Sequence, residues 1–152
     1  MPTLERSFDV AASPEIVFQV ISDFERYPEF LPEIREARFD RQDDESARAH
    51  FDLFILLHVR YSLSLKLLSP NKISWELTDS NVLEVNRGAW EIEGTDTGSH
   101  VRYQVEISLK GSVPQGILDR LSGNHLDAML ARFEERILSF RAEDGATLVA
   151  SS

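Results

Sequence analysis

The chain reads as an α+β domain in which a curved antiparallel sheet wraps one long C-terminal helix, with two short helices after the first strand. Three observations predict this. Apolar residues in 112–140 (Val113, Ile117, Leu118, Leu121, Leu126, Met129, Leu130, Phe133, Ile137 and Phe140) recur at the three-and-four spacing of a helix with one buried face. Through 35–110 the period changes to two, with turn-rich interruptions and no helical segment between strands. Between the first strand and that run lies a short stretch with helix-start signals and two prolines.

The helical stretch would be roughly 40 Å long at 1.5 Å per residue, so its apolar stripe needs a broad partner surface, and only the sheet is large enough. Ser112 can cap its first turn, Pro114 fits there, and Gly145 can end it. Gly116 and Gly123 each weaken a helix interior by about 1 kcal/mol, so Ser122, Gly123 and Asn124 mark a kink or a break. Residues 1–145 are expected to form a single domain and 146–152 a disordered tail.

At the N-terminus, Leu4, Arg6, Phe8 and Val10 alternate with Glu5, Ser7 and Asp9 as a strand. Ser13 then caps a helix with Pro14 at its first position and Ile16, Val17, Val20 and Ile21 on its apolar face. In DFERYPEFLPEI, Phe24, Tyr27, Phe30 and Leu31 keep helical spacing, while Pro28 and Pro32 make the element short. The strands that follow each show one apolar face: Ala47, Ala49, Phe51, Leu53 and Ile55; then Val59, Tyr61, Leu63, Leu65 and Leu67; then Ile73, Trp75 and Leu77; and last Val101, Tyr103, Val105, Ile107 and Leu109. Short turns between them imply an antiparallel meander.

Composition narrows the function. The 152 residues are 42% hydrophobic and carry a net charge of −10, which suits one globular core and opposes binding to DNA or anionic lipid surfaces. The acidic run from Asp40 to Glu45 reads as solvated turn charge, not as a metal site. There is no cysteine, no apolar run near the ~20 residues of a membrane span, and no signal pattern in MPTLERSFDV, so the cytoplasm is the expected compartment.

Strand, two short helices, long meander and final helix together resemble the helix-grip fold of the START and polyketide cyclase (SRPBCC) superfamily. Within it, Tyr27, Pro28, Phe30, Leu31 and Pro32 are similar to the tyrosine-proline and phenylalanine-leucine-proline signature of the coenzyme Q-binding and ribosome association toxin families, and NRGAW at 86–90 resembles their glycine, any residue, tryptophan motif. Glu33 and Asn86 depart from the residues common there. The resemblance implies a cavity between sheet and helix, a hydrophobic ligand such as a quinone or lipid, and the ribosome or a respiratory-chain component as a candidate partner. The charge of −10 counts against direct contact with ribosomal RNA.

The residues themselves support a candidate site. Tyr61, Trp75, Trp90 and Tyr103 fall on the inward phase of the sheet, covered by Met129, Leu130 and Phe133 of the helix, as either a filled core or the wall of an apolar pocket. Buried Trp and Tyr need partners for their N–H and O–H groups, which a pocket supplies better than hydrocarbon. Strand 83–94 has two phases: a straight reading turns Asn86 and Gly88 inward with Trp90, while the other turns Arg87 inward and needs a bulge at Gly88 and Ala89. The straight reading costs no bulge and makes Asn86 a group that could hold a ligand carbonyl or quinone oxygen. Tyr27, Phe30 and Leu31 would form a gate over one end.

Catalytic signals are sparse. His50, His58, His100 and His125 lack metal-ligand spacing, Glu91 and Glu93 lie opposite Trp90 and Ile92 in phase, and there is no phosphate loop or nucleophile elbow. The expected function is non-catalytic binding or transport of an isoprenoid quinone or other lipid, without cofactor or metal. The alternatives are a polyketide aromatase/cyclase and a ribosome-associated, toxin-like interaction protein.

Overall fold

A computed structural model describes residues 3–55, 57–111 and 124–151. Among these, seven strands form one antiparallel sheet: β1 (Thr3–Val10), β2 (Ile34–Arg41), β3 (Ser46–Ile55), β4 (Leu57–Leu68), β5 (Lys72–Ser80), β6 (Leu83–Thr95) and β7 (Gly98–Leu109). Their order is β1-β7-β6-β5-β4-β3-β2. Helix α1 (Pro14–Ser22) and a 3-10 helix (Phe24–Glu29) carry the chain from β1 at one edge to β2 at the other, and the meander then returns strand by strand to pair β7 with β1. The long helix α2 (Asn124–Ser151) packs against α1 and β1. This is the predicted helix-grip arrangement.

Local chemistry accounts for the elements. Ser13 caps α1 by accepting a bond from the Ile16 N–H at 3.4 Å, Pro14 occupies the first turn, and Val17, Phe18, Val20 and Ile21 are buried. The next segment is a 3-10 helix because Pro28 cannot donate to an α ladder, and Phe30 lies just beyond it. The β2–β3 turn closes on Asp43, whose Oδ1 accepts from the N–H groups of Glu45 and Ser46 at 2.9 and 2.7 Å. These bonds hold its carboxyl below the usual carboxylate range, so the charge in that run serves turn geometry.

Three slips of register bend the sheet: at Ile34/Glu36 between β2 and β3, at Ser62/Leu63 between β4 and β5, and at Leu83/Val85 between β6 and β7. The core lies between the concave face and the helices. The expected stop at Gly145 does not occur, since α2 continues to Ser151 through the span expected to be a tail. One glycine costs a helix about 1 kcal/mol and does not end it unaided. The expected cap at Ser112, Pro114 and the Gly116–Gly123 break lie outside the described residues.

The β6–β7 hairpin is clamped to the start of α1. Ser99, 1% exposed, donates its hydroxyl to the Ala12 carbonyl at 2.6 Å, and Gly98, at φ 152°, brings its backbone against Val10–Ala12. A Cβ at Gly98 would stand 2.2 Å from the Val10 carbonyl oxygen, whereas one at Gly111 meets nothing within 4 Å. Gly98→Ala should therefore lower urea-unfolding stability by about 2 kcal/mol or more, and Gly111→Ala should leave it unchanged or raise it by up to about 1 kcal/mol. Equal effects at the two positions would contradict the clamp.

Candidate functional site

The concave face of the sheet, α2 and the 3-10 helix border a half-open cavity of about 160 Å³. Leu126, Met129 and Phe133 border it from one edge of the apolar stripe of α2, and Tyr27 and Leu31 border it from the 3-10 segment. The sheet contributes Tyr61, Trp75, Asn86, Trp90 and Tyr103, all on the inward phase. The cavity is mostly apolar, with few polar groups, which is the composition of small-molecule sites in general.

An aromatic network makes one side of the wall. Phe133 meets Trp90, Phe30 and Tyr27 edge-on at centroid distances of 5.0, 5.1 and 5.2 Å, and Trp90 meets Tyr103 at 4.6 Å. Edge-to-face pairs of this kind contribute about 0.5–1.5 kcal/mol each beyond their burial. The Tyr27 hydroxyl donates to the Ile21 carbonyl, which ties the 3-10 segment to the end of α1.

The polar part of the wall is organised by a glycine. Trp75 on β5 pairs with Gly88 on β6, and a Cβ at Gly88 would lie 2.8 Å from the Trp75 ring and 2.1 Å from the Gln104 carbonyl oxygen. With no side chain there, the indole lies against the sheet and its Nε1–H reaches Asn86 Oδ1 at 2.9 Å. Asn86 is 8% exposed and faces the cavity, while Arg87 points outward to Glu106 at 3.0 Å. The straight reading of this strand therefore holds from Val85 to Thr95. The bulge sits earlier than the alternative required, between Leu83 and Val85, and there it brings the apolar Leu83 inside as well.

Other expected residues divide between wall and core. Met129 and Phe133 line the cavity, but Leu130 is 6% exposed within the packed core and is not on the wall, because the stripe of α2 is wider than the cavity it covers. Phe30 is also off the wall: it packs against the wall residues Phe133 and Tyr27, with the Arg136 guanidinium 5.3 Å from its ring centre. Phe24, Phe51, Leu63, Leu65 and Val105 line the cavity and had not been singled out. The strand residues among them share the inward phase with Tyr61 or Tyr103, or pair with it, which was the available signal. Outside the cavity, His50 bonds Ser62, His58 bonds Asp52 and His100 bonds Asp9.

Burial raises the pKa of Tyr27, Tyr61 and Tyr103 above the ordinary tyrosine value, with mutual repulsion among the would-be phenolates adding to it at Tyr27 and Tyr103. Their hydroxyls therefore stay protonated and can donate. These are all the tyrosines of the chain. Since folding favours the neutral form, their contribution to stability is complete below the unfolded value of about 10 and is lost as pH rises beyond it. Tyrosinate absorbance should show no step near pH 10 in the folded protein and should appear together with alkaline unfolding. A separate step near pH 10 with the fold intact would show an accessible hydroxyl and contradict this geometry.

A model of the family described as polyketide cyclase / dehydrase and lipid transport matches residues 10–134. No curated protein matches the chain by sequence. Among solved structures, a START superfamily protein from Mycobacterium smegmatis is similar at 21% identity and a TM-score of 0.76, covering 90% of this chain and 97% of that one. The STAR-related lipid transfer protein from Xanthomonas axonopodis is similar at 14% identity and 0.69, covering 89% and 85%. The Zhui aromatase/cyclase from Streptomyces sp. R1128 is similar at 14% identity and 0.66, covering 92% and 88%. These likenesses show a shared fold. The family match takes in the cavity from the end of β1 to the Phe133 turn of α2, and the chain belongs to the polyketide cyclase/dehydrase and lipid transport family.

Proposed function

We propose that this protein binds and shields a hydrophobic small molecule, a quinone or another lipid with a compact head, in the cavity between sheet and α2. The observation that carries the reading is the cavity itself, an apolar space of about 160 Å³ with a small set of ordered polar groups on one wall. An engineered apolar cavity of about 150 Å³ holds benzene, so this space suits a single ring. Each methylene-sized unit of an attached chain gains about 0.8 kcal/mol on leaving water, which is the physical demand a carrier meets.

A second reading, an aromatase/cyclase acting on a polyketide, is favoured by the same polar groups, because Asn86 and the tyrosine hydroxyls could steady a folded polycarbonyl chain. The raised tyrosine pKa values make those hydroxyls weak acids, which favours holding a ligand over transferring protons to it.

Filling the space should separate binding from stability. Met129→Trp points a large ring at the cavity and is expected to abolish saturable quenching of tryptophan fluorescence by a short-chain benzoquinone, at a stability cost of about 1–3 kcal/mol. Leu130→Ala, in the core, should cost about 2–5 kcal/mol yet leave quenching in place. If the wild-type protein shows no saturable quenching, and lipid extracts of protein purified from its own host contain nothing bound, the carrier reading fails.

The Tyr27–Leu31 segment is proposed as the gate. A cavity of about 160 Å³ is too small for an isoprenoid tail, so housing one requires a wall to move, and a short 3-10 element with Pro28 inside it and Pro32 just beyond it can hinge at its flanks. Hydrogen exchange at residues 23–34 should slow when the quinone is bound. Equal exchange in both states would make the segment a fixed lid.

A further inference from the structure

We propose that the cavity selects ligands bearing a carbonyl, and that Asn86 is the residue that recognises it, with Trp75 as its positioning residue. This rests on the reading of the cavity as a ligand site. Indole Nε1–H can only donate, so the atom of Asn86 at 2.9 Å from Trp75 must be the amide oxygen, and the orientation of the whole amide follows. Its Nδ2–H₂ group is thereby left with two donors. Among the described residues Nδ2 has no hydrogen-bond partner, and no fully enclosed side-chain nitrogen or oxygen lacks one, so Nδ2 has open space before it. For a residue 92% buried on the cavity wall, that space is the cavity.

The hydroxyls of Tyr61 and Tyr103 also line the cavity without a partner among the described residues, and burial keeps both protonated. The wall therefore presents these donors in a mostly apolar space, which Glu33 also borders. A donor already aimed and dehydrated favours a ligand acceptor over a hydrocarbon of the same shape, because a hydrocarbon would leave the amide unpaired. A ketone or quinone oxygen satisfies it without bringing a competing donor. Gly88 enters the same device, since any side chain there would lift the Trp75 ring and release the amide to turn over.

Acetophenone and its hydrocarbon isostere α-methylstyrene test the selectivity, since both carry one ring and differ at the carbonyl. Calorimetric titration of the wild-type protein should show the ketone preferred by about tenfold. Asn86→Leu should erase the preference, by weakening acetophenone binding and lifting the penalty on α-methylstyrene, and Trp75→Phe should reduce it by freeing the amide to rotate. In the wild-type protein the Asn86 side-chain amide proton resonances should move on adding acetophenone and stay in place with α-methylstyrene, a readout that needs no variant to fold. Binding of both probes with equal affinity, or a preference that survives Asn86→Leu, would overturn the role of Asn86 and leave the cavity reading intact. Failure of both probes to bind at all would overturn the two together.

Discussion

Phe133 stands where every layer of the molecule meets. It is 1% exposed, and its ring touches Trp90 of β6, Tyr27 of the 3-10 segment and Phe30 beyond it, so helix, sheet and connecting segment converge on one side chain. The constraint is geometric. A long amphipathic helix can bury its stripe only if the sheet curls around it, and a curled sheet must find room for side chains of unequal size on its concave face. Large rings near Phe133 fill that room. Where the rings of the wall do not reach the residues opposite, the gap between sheet and α2 is the cavity.

The cavity is therefore bounded by the same inward phase that forms the core. What distinguishes it is a local substitution of polar for apolar groups at β5 and β6. Asn86 is placed on a wall where leucine or valine would pack, a change that normally costs free energy unless the amide is bonded. Trp75 meets that requirement for the oxygen, and Gly88 gives Trp75 the room to do so. Three residue types that look unrelated along the chain thus form one unit across two strands. Arg87, one position along, carries its charge out to Glu106, where solvent and a carboxylate receive it.

The ion pairs that tie α2 to other elements lie on the outer surface. Asp127 at the start of α2 pairs with Arg6 of β1 at 2.8 Å, and Arg136 further along pairs with Glu29 at 2.8 Å while covering the Phe30 ring. Both pairs join α2 to other elements, and being largely exposed each contributes at most about 1 kcal/mol. The apolar contacts beneath them do most of the holding.

The amino-acid sequence by itself determined the elements and their faces: a capped helix at Ser13, strands of period two with Tyr61, Trp75 and Tyr103 inward, and an amphipathic helix carrying Met129 and Phe133. Those depend on local periodicity and capping, which neighbouring residues encode. It also favoured Asn86 over Arg87 as the inward residue, because a strand without a bulge is the cheaper path. Only the tertiary structure decided which inward residues bound a space and which fill the core. Leu130 and Met129 are adjacent on the same stripe, yet one is packed and the other is wall, since that depends on what the opposite surface brings within reach. The Trp75–Asn86 bond was hidden for the same reason: its partners lie eleven residues apart, and only the pairing of β5 with β6 over Gly88 sets them within hydrogen-bonding distance.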